Sequence, residues 1–362
     1  MRVGLGIFVA LAAVMALTPV ASAQDGWINL FDGETLFGLN QMGDASWEVK
    51  DGVLTSTGGS GGWIATTSQF ADFELKAKVR LKGETSGGIA FRAGTEGHPA
   101  ENGTGVVNLR QKKGKSEWQE VHITANGDKI SATVNGKAVD GVSAGRTRGV
   151  IGIQHHHREN TVEVSELRLK PLNFKPLMNG KNLDGWNIIP GRASKFSVVD
   201  GGINIKDGNG QIETVGVYKD FVLQLDIISN GKHLNSGVFF RGPVGIFWKG
   251  YESQVRNQWS GDDRTKPVDY GTGGNYGNQN SRKVVSTDGE WFQKTIVVTD
   301  NHAAVWINGY QASDFTDTRP ISRNNDGKNG YVPGPGTIHL QGHDPTTDLS
   351  FKNINLHEYS KP

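Results

Sequence analysis

Three short stretches in the second half of the chain place acids, bases and amides on alternate positions. In Asn235 to Arg241, the residues Asn235, Gly237, Phe239 and Arg241 fall on one side of an extended chain, and Ser236, Val238 and Phe240 on the other. In Tyr251 to Arg256, Glu252, Gln254 and Arg256 stand opposite Tyr251, Ser253 and Val255. In Ile338 to His343, His339, Gln341 and His343 stand opposite Ile338 and Leu340. Side chains alternate along a strand, so each stretch reads as a strand with one apolar and one polar face. Set side by side, the polar faces gather Glu252, Arg241, Arg256, His339, His343, Gln254 and Gln341. Such a set can move protons inside a hydrogen-bonding groove. The plainer reading is the wet face of an antiparallel sheet, with Arg241 and Glu252 as a surface pair.

The segment Asn257 to Val285 follows the second of these strands. It is rich in Gly, Asp and Asn and carries Trp259, Tyr270 and Tyr276, with Trp248 just before it. Loops of this length in compact domains are functional or disordered. Aromatic rings suit the apolar faces of sugars, and amides such as Asn235, Gln254 and Gln341 suit their hydroxyls. The alternative is a loose surface loop.

These strands belong to a repeated unit. Leu30-Phe31-Asp32-Gly33-Glu34-Thr35-Leu36-Phe37-Gly38 returns as Leu177-Met178-Asn179-Gly180-Lys181-Asn182-Leu183-Asp184-Gly185. Asp72-Phe73-Glu74-Leu75 returns as Asp220-Phe221-Val222-Leu223, and Ser86 to Arg92 aligns with Asn235 to Arg241 on the arginines. Ile151 to Gln154 aligns with Ile338 to Gln341 on the glutamines. Preserved order across so many blocks marks an internal repeat. Phe73 to Leu81 alternates apolar and charged residues, the pattern of a half-buried antiparallel strand. Asn126-Gly127, Asn135-Gly136 and Asn308-Gly309 are tight-turn pairs. Many short strands argue for a sandwich or jelly roll. Pro171 to Pro176 interrupts the alternation, giving domains of 24–171 and 172–362.

Met1 to Ala23 reads as a secretory signal peptide. Arg2 supplies a positive start, Gly4 to Leu17 is apolar, and Ala21-Ser22-Ala23 supplies small residues for cleavage. The run falls short of the roughly 20 residues of a spanning helix, so the expectation is an exported, periplasmic or secreted protein without membrane insertion. The 362-residue chain has no Cys, so its folded state rests on its core. Removing Arg2 leaves 37 basic and 37 acidic residues, which offers no electrostatic reason for nucleic acid as a partner. No phosphate-binding loop ending in Gly-Lys-Ser/Thr and no paired-Cys zinc spacing is present.

The first copy departs from the second. Arg92 matches Arg241 and His156 matches His343, but Val106 to Gln111 stands where Tyr251 to Arg256 stands and holds no carboxylate. The first domain is therefore expected to bind, scaffold or pack. In His155-His156-His157 only the outer two share a face of a strand, a weak basis for a metal. A divalent ion could also sit between Glu252 and His343-Asp344.

The motifs Asn179-Gly180-Lys181-Asn182-Leu183-Asp184-Gly185-Trp186, Asn235 to Arg241, Gly250-Tyr251-Glu252-Ser253-Gln254-Val255 and Ile338 to His343 resemble the 3-keto-disaccharide hydrolase family. So does the closing Leu349 to Ile354. The resemblance covers the second domain well and the first loosely. It implies two concanavalin-like jelly-roll β-sandwiches in an all-β chain, and cleavage of 3-keto-glycosides by elimination and hydration. A 3-keto group acidifies the C2 proton, and loss of the C1 substituent follows. His343 or Glu252 would be base or acid, Arg241 would face the developing oxyanion, and Asn235, Gln254 and Gln341 would orient hydroxyls of an oligosaccharide or glycoside. The competing expectations are a non-catalytic carbohydrate-binding or adhesive module and a structural exported protein.

Overall fold

The computed structural model describes residues 25–83, 86–95, 103–112, 114–156 and 160–360. The expected signal peptide and His157 lie outside them. Among the described residues the regular elements are all strands, arranged in four antiparallel sheets.

The alternation read from the sequence is what builds them. Strand Phe73–Lys82 buries Phe73, Leu75, Ala77, Val79 and Leu81 and leaves the intervening charges half-exposed. Turns fall at two of the three Asn-Gly pairs; at the third, Asn126 pairs with Lys129 inside the ladder and the loop is Gly127-Asp128. Asn135 and Gly136 have φ of 52° and 74°, and Asn308 and Gly309 have 50° and 79°. Two successive positive φ values match the twist of the flanking strands, which is why Asn and Gly stand there.

Each half of the chain forms a sandwich of one eight-stranded and one five-stranded sheet. The first five-stranded sheet runs in the order Leu39–Gly43, Gly62–Thr66, Val150–His155, Ser86–Ala93, Gly105–Arg110. The second runs Trp186–Ile188, Gly210–Thr214, Thr337–Gly342, Ser236–Gly242, Tyr251–Val255. Identical permuted order in two sheets is the internal repeat seen as topology. The fold class is all-β, with two tandem concanavalin-like jelly-roll sandwiches.

The second eight-stranded sheet is buried on both faces. Leu223, Leu225, Ile296 and Val305 face its own sandwich core. Val222, Val297, Ala304 and Trp306 face the other way and join the core of the first sandwich. Polar contacts frame this seam. The Trp306 indole donates to Asn29 O at 2.9 Å, Arg148 reaches Asp220 at 3.0 Å, and Arg282 reaches Asp32 at 2.9 Å. The two sandwiches thus share apolar area that neither could leave in water without cost.

Candidate active site

The outer face of the second five-stranded sheet carries the polar set. Its inner neighbours Ile212, Val238, Phe240, Tyr251, Val255, Ile338 and Leu340 fill the core. Register pairs Glu252 with Phe239, Phe239 with His339, and His339 with Glu213, one row across four strands. The next row pairs Gln254 with Gly237 and Gln341 with Gln211. A Cβ on Gly237 would overlap Glu252 Oε1, so Glu252 would have to move to admit one.

Glu252 is 5% exposed. Burial pushes its carboxyl up to about 8, against the opposing pull of the Trp248 indole N–H and of Lys328 and Lys294, while Asp269 adds to the rise. A carboxyl in this setting keeps its proton at neutral pH and can donate it. The Lys328 ammonium lies 4.0 Å from the Trp248 ring centroid and 5.4 Å from that of Tyr276.

The long segment after the Glu252 strand is built against it. Gly273 N donates to Gln254 O, Gln254 N to Gly274 O, and Tyr276 N to Glu252 O, so residues 273–276 pair with the free edge of strand Tyr251–Val255. This segment delivers Asp269. Its Oδ2 accepts from Asn235 Nδ2 at 3.0 Å, Gln254 Nε2 at 3.1 Å and Arg256 Nη1 at 3.3 Å. Three N–H donors thus converge on one oxygen and fix the orientation of the carboxyl group. Tyr270 and Tyr276 stack edge to face at 4.9 Å beside it. Burial raises the Tyr276 phenol, and the charges of Asp269 and Glu252 raise it further.

Three buried polar atoms on or beside this face have no partner: Gln211 Nε2, Gln341 Oε1 and Asn235 Oδ1. An unpaired buried amide atom is costly unless something hydrogen-bonds it. Two acceptors and one donor match sugar hydroxyls, which can serve as both. Gln254 is different: its Nε2 is already spent on Asp269 and its Oε1 on Val255 N.

Other sequence-based expectations meet a different geometry. Arg241 does not share the face of Glu252. The pairing of its strand with Thr337–Gly342 shifts register between Phe239 and Gly242, and Arg241 takes φ of 54°. This bulge breaks the alternation and turns the guanidinium to Asp220, Lys219 O and Val332 O. Arg92 does the same in the first sandwich, with φ of 48° and a bond to Asp72. Both arginines are structural ties. The cation beside Glu252 is Lys328.

His343 stands one residue beyond its strand, with a 40% exposed side chain 3.3 Å from Asp344. Continuing the ladder puts it four residues along and two strands across from Glu252, roughly 15 Å between backbones. The structure therefore does not bring His343-Asp344 and Glu252 together around a divalent ion. Among the described residues no group of three or more His, Asp or Glu is placed to hold a metal. Trp259 stacks under Arg264 at 4.2 Å in the outer arm of the segment. Trp248 is 40% exposed, with its backbone N–H bound to Gln211 Oε1.

Sequence reasoning missed Asp269, Gln211, Glu213 and Lys328 as members of this site. It placed His339 on the polar face without a role. His339 is fully buried, stacks on Phe239 at 6.2 Å, lies 3.4 Å from Glu213, and is pushed down to about 4 by burial. Gln211-Ile212-Glu213 carried a visible signal, polar residues flanking an apolar one. Asp269 and Lys328 carried none, because they reach the site from irregular segments.

The first sandwich has the same frame with other side chains. Its register sets Val106 at the place of Glu252, Asn108 at Gln254, Ala90 at Phe239, Gly152 at His339, Ala65 at Glu213 and Trp63 at Gln211. Trp63, Ala65 and Ala90 form an apolar cluster there, with the Trp63 ring lying where a side chain on residue 152 would go. The absence of a carboxylate expected from Val106 to Gln111 holds at each of these positions.

Residues 26–170 and 173–357 each match the 3-keto-alpha-glucoside-1,2-lyase-like domain, and the chain belongs to that family. No curated protein is similar enough to match. A candidate glycosyl hydrolase from Parabacteroides distasonis is 24% identical, covering 52% of this chain and 94% of its own, with a TM-score of 0.41. The carbohydrate-binding module CBM66 from Bacillus subtilis is 15% identical, covering 48% and 96%, with a TM-score of 0.36. The exoplasmic domain of VIP36, bound to calcium and Man3GlcNAc, is 9% identical, covering 53% and 92%, with a TM-score of 0.35. Family membership ties the chain to carbohydrate chemistry.

Proposed function

From that membership we infer that the second sandwich cleaves 3-keto-glycosides by elimination across C1 and C2, with hydration completing net hydrolysis. The observation that carries this reading is the pair of unlike carboxyls, Glu252 held neutral by burial and Asp269 held by three N–H donors. Two carboxyls in unlike settings on one groove can divide the roles of acid and base.

Elimination needs a base for the C2 proton, a group facing the enolate oxygen at C3 and an acid for the leaving oxygen at C1. Asp269 Oδ1, the oxygen outside the three-donor cluster, is the base. Lys328 is the cation for the enolate. Glu252 gives its proton to the leaving oxygen. Gln211, Gln341 and Asn235 take up ring hydroxyls, and Trp248 and Tyr276 offer ring faces. His343 and Asp344 belong to the far end of the same face, where the leaving portion of a disaccharide would extend. Export follows from the expected leader at residues 1–23.

The test is release of the leaving alcohol from a 3-keto-disaccharide by the mature chain, with Glu252→Gln and Asp269→Asn as controls. Turnover abolished in both supports the assignment. Binding of unoxidised glycans without any turnover of 3-keto sugars would replace it with a carbohydrate-binding role.

A further inference from the structure

A lysine lies in the apolar core directly behind this site. Lys294, on strand Phe292–Thr299, is 0% exposed among residues that face the sandwich interior. Its Nζ reaches Ser253 O at 2.9 Å, Ser253 Oγ at 3.0 Å and Gln254 O at 2.8 Å. Those groups belong to the strand that carries Glu252 and Gln254 on its other face. A buried lysine is expensive unless its charge and donors are met, so its presence in a core of Leu, Ile and Phe asks for a reason.

The first sandwich supplies a comparison within the same chain. Val121 pairs with Ala77 as Lys294 pairs with Leu225, so Val121 is the counterpart of Lys294. Val107 is the counterpart of Ser253, and Val106 of Glu252. All three polar residues are therefore present in one copy and all three are valine in the other. The sandwich itself folds with valine at these places. Lysine and serine in the core go with the carboxyl on the outside, not with the fold.

Building on the proposed site, we propose that Lys294 is a positioning residue that fixes the backbone of the Glu252 strand and supplies, through that strand, the compensating charge for ionised Glu252. Ser253 lets it do so in either protonation state. As an ammonium, Lys294 donates to both carbonyls and to Ser253 Oγ. As an amine, it donates to the two carbonyls and accepts from the Ser253 hydroxyl. The Nζ keeps the same three partners in both states, so a proton can leave or return without breaking the cluster. Burial pushes Lys294 down to about 7 while the charge of Glu252 raises it. Several other groups act on Glu252: Trp248 from the preceding loop, Lys328 from the 320–331 segment, Asp269 and Tyr276 from the 257–285 segment. Lys294 alone does so from the core side.

The test reads the Glu252 carboxyl directly, without substrate. Carboxyl infrared or carbon-13 titration of the mature chain, with Glu252→Gln identifying the signal, is compared with Lys294→Met. The expected result is a Glu252 titration moved upward by about one pH unit, with the alkaline limb of the rate moving with it and KM little changed. A folded Lys294→Met whose Glu252 titrates as in the parent overturns the inference. If Lys294→Met does not fold, the pair Lys294→Val with Ser253→Val, which reproduces the first sandwich, gives the same readout. Failure of 3-keto-glycoside turnover in the parent would sink the proposed reaction while leaving the carboxyl shift to decide the role of Lys294.

Discussion

Glu252 bends its carboxyl over Gly237, the residue diagonally across on the neighbouring strand, and fills the volume a side chain there would need. The absence of a Cβ at 237 is thus part of what places the Glu252 carboxyl. Gly237→Ala should displace Glu252 and lower kcat/KM by roughly a hundredfold, since misplacement of a catalytic group by about 1 Å has that effect. Melting should change by only a few degrees. Parent-like turnover would show that Glu252 works from another rotamer.

The pH dependence of the rate follows from the Glu252 proton. With the carboxyl at about 8, turnover should fall above that pH as the acid is lost. Glu252→Gln should remove the limb and lower kcat by about 10²–10⁴-fold. A rate that rises through pH 8 would make Glu252 the base.

Stability should respond to the same group. Burial raises its folded value from the ordinary 4.5 to about 8, so the contribution is complete below pH 4.5 and is lost as pH rises toward 8. Glu252→Gln should therefore gain on the parent in urea midpoint as pH rises from about 4.5 to about 8, with no further gain above that. Parallel curves for the two proteins would contradict a buried neutral carboxyl.

Arg241 should behave as a structural tie. It is 3% exposed and bonds Asp220, which Arg148 of the first sandwich also holds. Arg241→Met should cost about 1–3 kcal/mol by urea unfolding, because the carbonyls of Lys219 and Val332 lose their donor while Asp220 keeps Arg148. The residual folded protein should keep its KM. A large loss of kcat without loss of stability would return Arg241 to the chemistry.

Trp306→Ala tests the seam between the sandwiches. The ring is 1% exposed and lies in the core of the first sandwich. Truncation should cost about 3–5 kcal/mol and split thermal unfolding into two transitions in calorimetry. A single sharp transition at the parent temperature would show that the seam does not depend on the Trp306 ring.

Much of this was legible in the residue pattern. Period-two alternation gave strand Phe73–Lys82, two of the three Asn-Gly pairs gave turns, and the repeated blocks gave two sandwiches of the same topology. Alternation also placed Glu252, Gln254 and Gln341 on one face, because those strands are regular there. It failed at Arg241, where a bulge with positive φ reverses the side. It said nothing of Asp269 and Lys328, whose positions depend on long-range pairing of irregular backbone. Lys294 was hidden for the opposite reason: it occupies a core position, where a strand pattern leads one to expect valine.

The segment that brings Asp269 to the site also closes the outer strand of the sheet through residues 273–276. An open strand edge is a template for other chains. Trimming this segment would therefore expose a ribbon ready to recruit further copies, and the variant would be lost to fibres or precipitate before any kinetic defect could be measured. Placement of Asp269 and cover for the sheet edge are carried by one length of backbone.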